Sequence, residues 1–271
     1  MSRPPLSRAP LALAGAALTV AALAACSSTA APAATSTAKP SAGTATVAGD
    51  STADFAAACA ALPSFDAAIT AYPGADSDGP PPTAAQLTSW ASTAMPSLTI
   101  IAKHVPAGLD PDVKILTTAL EGVSHGTPLN TDDATVTGAL TALNKSGHDI
   151  CGLTKVDVVD NGELTGAPAT LPAGPVSISF TNTAPAGQTG FILLVAKIKD
   201  GAQVTADQVR TNTVDLGNPS IADIVAVAQP GQDGSAAYTT ANLAAGHYIL
   251  STPVGTPPAF SKILAVDLQI T

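Results

Sequence analysis

Charge and aromatic rings are what this sequence has least of. Charged residues make up 11% of the 271 and aromatic residues 3%, so any core must be built mainly from Ala, Val, Leu and Ile. Eleven basic residues stand against twenty acidic ones, a net charge of -9 with no basic run. Such a chain repels polyanions, which argues against nucleic acid as a partner. Hydrophobic residues at 46% exclude disorder along the whole length. Gly-x-Ser-x-Gly, His-Glu-x-x-His, a Walker A loop and a dinucleotide fingerprint are all missing. The expectation is therefore a protein that is not an enzyme and carries no cofactor.

The first residues are more informative. Arg3 and Arg8 precede an Ala/Leu-rich apolar run over residues 11–25. That is a positive n-region and an h-region of signal-peptide length, short of the roughly 20 apolar residues that span a bilayer. The run ends in Leu23-Ala24-Ala25-Cys26, which resembles the bacterial lipobox. The resemblance implies cleavage before Cys26, acyl chains on that cysteine, and anchoring on the extracytoplasmic face of the cell membrane. Two or three chains, at about 0.8 kcal/mol per buried methylene, hold stably where one would not. The alternative is ordinary secretion with cleavage after Ala22-Leu23-Ala24. Once Cys26 is set aside for lipid, Cys59 and Cys151 remain as an even pair in an oxidising compartment. Residues 26–50 are Ala, Ser, Thr and Pro with almost no large apolar group, which reads as a flexible tether reaching about 80 Å when stretched.

Residues 51–155 have a helical apolar period. Phe55, Cys59, Leu62, Phe65 and Ile69 step by three or four until Pro73-Gly74, and Leu87, Trp90, Ala94, Leu98 and Ile101 repeat the pattern. Pro63 and Pro96 interrupt these stretches, so a kink or restart is expected at each. Asp110-Pro111 reads as N-cap and N1 of a third helix, with Val113, Leu116 and Leu120 on its face. Thr131, Asp132 and Asp133 open a fourth, striped by Val136, Leu140, Leu143 and Ile150. Four helices with short connections argue for an antiparallel bundle. That packing brings Cys59, early in the first helix, to Cys151 at the end of the fourth, so a disulfide is expected.

Residues 156–271 change to a period of two. Val176, Ile178 and Phe180 alternate with Ser177, Ser179 and Thr181; Leu264, Val266, Leu268 and Ile270 alternate with polar or small residues. Residues 191–195 are a continuous apolar run suited to a central strand, and residues 205–228 suggest a short helix and an edge strand. The fold class expected is α+β in two domains, a helical bundle followed by a β-sandwich. Leu171-Pro172-Ala173-Gly174-Pro175-Val176 leading to Phe180-Thr181-Asn182-Thr183, and Leu243-Ala244-Ala245-Gly246-His247-Tyr248, resemble strands of the cupredoxin family. The resemblance would place a first copper histidine near Thr189 and Gly190 and a copper cysteine at Thr252. A blue-copper site needs two His and a thiolate. No cysteine follows Cys151, no methionine follows Met95, and His247 is the one histidine in this half. Copper electron transfer is excluded.

The other candidates are sparse. His104, His125 and His148 sit near helix ends, and no spacing among them specifies a metal site. Asp157, Asp160 and Glu163 lack the EF-hand order and read as a solvated turn. The loops expected at one end of the sandwich, residues 184–190 and 253–260, bring forward Thr189, Gly190, Pro257, Pro258 and Phe260 as binding candidates. Phe260 has two readings, a buried plug where copper would sit or an exposed contact. The functional expectation is a lipid-anchored envelope protein that binds a small ligand or an envelope protein without catalysis. The alternatives are an accessory to iron or copper uptake and a hydrolase with an unrecognised site.

Overall fold

The computed structural model describes residues 52–74, 80–185, 187–230, 235–256 and 259–271. Cys26, Pro257 and Pro258 lie outside the described residues. Among those described, no helix is long and apolar enough to cross a membrane.

The apolar stripes become four helices: α1 (Thr52–Thr70), α2 (Ala84–His104), α3 (Asp110–Ser124) and α4 (Ala134–Ile150). Leu62, Phe65, Leu87, Trp90, Leu98, Leu116, Leu120 and Leu143 form their shared core, each helix packing on the next. Thr83 and Gln86 cap α2 reciprocally, the Gln86 N–H donating to Thr83 Oγ1 and the Thr83 N–H to Gln86 Oε1. Asp133 caps α4 by accepting from the Thr135 N–H at 2.8 Å. Pro63 and Pro96 do not restart their helices; α1 and α2 each run on as one element. Two further expectations shift. A 3-10 turn at Ala107–Leu109 leads into α3, so Leu109 takes the N-cap position and Asp110 and Pro111 move one place into the helix. Ile150, the last residue of α4, is 54% exposed while Gly147 and His148 of the same turn are buried, and it does not join the helical core. Cys59 and Cys151 form a disulfide with their Cα atoms 5.4 Å apart, tying the first helix to the residue that ends the fourth.

The strands follow: β1 (Thr154–Asp160), β2 (Leu164–Thr165), β3 (Thr170–Leu171), β4 (Gly174–Asn182), β5 (Leu193–Ile198), β6 (Ala222–Ala228), β7 (Ala237–Leu243), β8 (Gly246–Thr256) and β9 (Ala259–Ile270), with a short helix α5 (Ala206–Arg210) after β5. One sheet has the order β2-β1-β4-β7 and the other β3-β9-β8-β5-β6. Both are mixed, since β1 runs parallel to β4 and β3 parallel to β9. Val156, Val158, Val176, Ile178 and Phe180 of the first sheet meet Val195, Tyr248, Leu250, Leu264 and Leu268 of the second in one apolar core. Fully burying each such side chain stabilises by about 1.5–3 kcal/mol. The short helix and edge strand expected over residues 205–228 are α5 and β6.

The outer faces are covered too. The far side of the second sheet packs Ile198 and Ile249 against Val204, Val209 and Leu216. The far side of the first receives α1 and α4 against β7 and α4 against β4. Ser177 and Ser179, the polar half of the β4 alternation, are therefore buried and face helices instead of water. Gly147 is where α4 comes closest: a Cβ there would lie 2.7 Å from Leu62 Cδ1 and 3.7 Å from Thr240 Cγ2.

Candidate functional site

At the sandwich end where copper ligands were sought, the backbone is closed. The Phe191 N–H donates to Pro253 O at 2.8 Å, the Gly255 N–H donates to Thr189 O at 3.1 Å, and Gly190 bridges to Val254. Residues 253–260 are mostly the paired ends of β8 and β9, and not the free loop expected. Gly190 and Thr252 are neighbours. A Cβ on Gly190 would overlap the Thr252 hydroxyl and lie 3.0 Å from Phe180 Cζ. The position has neither thiol nor imidazole, and the space beside the glycine is filled by a threonine and a phenylalanine. This donor set does not fit copper.

Asp160 locks that end in place. It is fully buried, with Oδ2 accepting from the Gly190 N–H at 2.6 Å and Oδ1 from the Gly162 N–H at 2.8 Å. Its carbonyl accepts from Thr183 and Ala184, and Asn182 Nδ2 donates to Gly190 O at 2.9 Å. The solvated turn expected for Asp157, Asp160 and Glu163 is corrected at Asp160, whose carboxylate is an internal acceptor for two loops. Phe260 is 41% exposed and its ring centroid is 6.0 Å from that of Phe191, so the plug reading does not describe it.

A second group lies between α4 and the first sheet. His148 is 7% exposed; its Nδ1 is 3.0 Å from Ser177 Oγ and its Nε2 3.3 Å from Asp157 Oδ1. Ser179 Oγ donates to the same Asp157 oxygen at 2.6 Å. Residue types alone make this a Ser–His–Asp set. Access decides otherwise, because Ser177 has 0% exposure and sits on a central strand paired on both sides. A nucleophile must reach its substrate. These bonds fasten α4 to β4 and β1, a role distinct from the simple helix-end placement expected of His148. His104 ends α2 and His125 caps the far end of the antiparallel α3, so the three histidines are not brought together. Among the described residues, no three His, Cys, Asp or Glu side chains gather as a metal site. His247 is half-buried, with Nε2 2.9 Å from Asp267 Oδ1.

The group that sequence reasoning missed is on α1. Asp66 is 3% exposed, and its Oδ2 accepts from the Thr240 N–H at 2.6 Å and the Thr240 hydroxyl at 2.7 Å. Asn144 Nδ2 donates to Oδ1 at 3.1 Å. Burial pushes the Asp66 carboxyl up to about 6, and the bonds from Thr240 and Asn144 hold it from rising further. Asp66 borders a cavity of about 290 Å³ between α1, α4, β7 of the first sheet and β6 of the second, walled by Ile69, Tyr72, Leu140, Ile192, Val227 and Tyr238 among others. The signal was present in the sequence: Cys59, Leu62, Asp66 and Ile69 share one helical face, so an acid stands on an apolar stripe. A larger trough of about 880 Å³ runs past the disulfide, lined in part by Phe55, Lys103, His104 and Ile150. Its Ser64, Lys103 and Asn242 are exposed, while His104 is half-buried with its Nδ1 buried and without a protein partner.

No protein-family model matches the sequence, and no curated protein matches it. Among solved structures, a reduced rusticyanin is similar at 20% identity over 49% of this chain and 95% of that one, with a TM-score of 0.25. Rusticyanin from Thiobacillus ferrooxidans is similar at 20% identity over 44% of this chain and 78% of that one, with a TM-score of 0.26.

Proposed function

We propose that this chain is a lipid-anchored protein of the cell envelope, a helical domain followed by a cupredoxin-like sandwich, which binds a small ligand and neither catalyses a reaction nor carries copper. The observation that carries the binding role is the Asp66 cavity: apolar and aromatic walls interspersed with threonines, and one buried carboxyl at the edge. Ligand sites in proteins commonly have that composition. The Gly190–Thr252 packing supports a sandwich without its metal, and the buried Ser177 supports a non-catalytic reading. The lipobox motif supports the anchor, and the tether lifts the folded part off the bilayer.

Native mass spectrometry of the protein extracted from membranes in mild detergent tests the binding role. A small molecule should accompany the wild type and be absent from Leu140→Trp, which fills the cavity from α4. Identical spectra without bound mass would contradict the proposal.

A further inference from the structure

The chemistry around the cavity specifies the charge of its ligand. Among the described residues that line it, Asp66 is the only one with a charged side chain. None of the ion pairs formed by Lys, Arg or His in the described residues reaches Asp66. A buried carboxylate without a cation is costly in a low-dielectric site.

The hydrogen-bond inventory points the same way. The Thr137 hydroxyl donates to Asp133 O at 3.1 Å and the Thr141 hydroxyl to Thr137 O at 2.8 Å, so both are committed within α4. The Tyr72 hydroxyl already accepts from the Leu129 N–H at 2.8 Å. Asp66 accepts three bonds, from Thr240 twice and Asn144 once, and the Thr239 side chain also favours its charged form; every one of these partners is neutral, so none balances its charge. Among the described lining residues, the feature left without a counterpart is the negative charge of Asp66. Two of the three tyrosines in the sequence, Tyr72 and Tyr238, also wall the cavity. Aromatic faces attract cations and pack apolar groups. A bare metal ion does not suit the place, because hard cations take several oxygen ligands, usually with more than one carboxylate, and Asp66 is the single carboxylate among the described lining residues.

Resting on the small-ligand reading above, we propose that this cavity binds an organic ammonium ion. Its N–H groups donate to Asp66, and its apolar body lies between Ile69, Leu140, Ile192 and the rings of Tyr72 and Tyr238. The volume, about 290 Å³, is that of about ten water molecules, which limits the ligand to a small amine.

Calorimetric titration of the full-length protein in detergent with benzylammonium, benzyl alcohol and benzoate, and with the same three head groups on a butyl chain, tests this. The ammonium of each series should bind at least tenfold more tightly than its alcohol, and the carboxylate should not bind. Asp66→Asn should erase the preference for ammonium over alcohol, with its fold checked by circular dichroism. Leu140→Trp leaves the carboxylate in place and should abolish binding of every probe. If alcohol and ammonium bind equally and Leu140→Trp blocks both, the cation assignment falls and the cavity stands as a ligand site. If no probe binds the wild type, the cation assignment falls and the small-ligand reading loses its support. Should Asp66→Asn fold and keep the full ammonium preference, the selectivity does not come from Asp66 and the proposal is overturned.

Discussion

Asp66 shows how one side chain serves as fastener and liability at once. Its bonds to Thr240 and Asn144 join α1, β7 and α4, yet its burial disfavours the charged form. The folded carboxyl titrates near 6 against an ordinary value of 3.8, so the folded state holds a proton that the unfolded state releases between those values. Stability from this group is fully present below about pH 3.8 and is lost as pH rises through about 6. The difference is about 3 kcal/mol, at 1.36 kcal/mol per pKa unit. Urea unfolding at pH 4 and pH 7.5 should show the wild type losing about that much relative to Asp66→Asn on going to the higher pH. Parallel pH profiles for the two proteins would refute the assignment. Phe260 offers a contrasting case. Since it is 41% exposed, Phe260→Ala should cost under about 1 kcal/mol, well short of the roughly 3–5 kcal/mol of a buried aromatic deletion. A loss in the larger range in chemical denaturation would restore the plug reading.

At the scale of elements, periodicity located the four helices and the longer strands because apolar spacing is a local property. The Thr83-x-x-Gln86 capping box was equally legible in principle. What periodicity could not convey was the partner across each face. Ser177, Ser179 and Thr240 present the same alternation whether water or a helix lies opposite, and here His148, Asp157 and Asp66 respectively supply the hydrogen bonds that water would have given. Asp160 was misread for a related reason: an acid between turn residues looks solvated until two loops fold over it. The disulfide was read correctly because helix direction constrains which ends meet. It spans 92 residues, so the chain-entropy model assigns it about 4–5 kcal/mol. Cys59→Ser with Cys151→Ser should lower the melting temperature by roughly 10 °C, at about 2–4 °C per kcal/mol for a domain of this size. A melting temperature within a degree of the wild type would mean that the bridge constrains nothing of consequence.

At the scale of the molecule, the described residues form one compact unit in which helices cover one face of a sandwich and a short helix covers another. In the sequence, strand motifs carry the cupredoxin resemblance, and the lack of Cys and Met beyond residue 151 carries the expectation that no blue-copper site forms. Purified protein mixed with Cu(II) should therefore show no intense absorption near about 600 nm, since the sandwich offers no thiolate. A blue complex would overturn the ligand placement at Gly190 and Thr252. The proposed binding role was hardly legible, because the cavity behind it is assembled from distant segments and leaves no contiguous motif. The proposed address is different in kind, resting on a short run of sequence that ends at Cys26. Expressing the full chain and Cys26→Ala in bacteria that process lipoproteins, then separating membranes and partitioning them in detergent, tests that central claim. The account predicts wild-type protein in the membrane and detergent phases and Cys26→Ala in the soluble and aqueous phases; a variant that stays membrane-bound and detergent-soluble would contradict it.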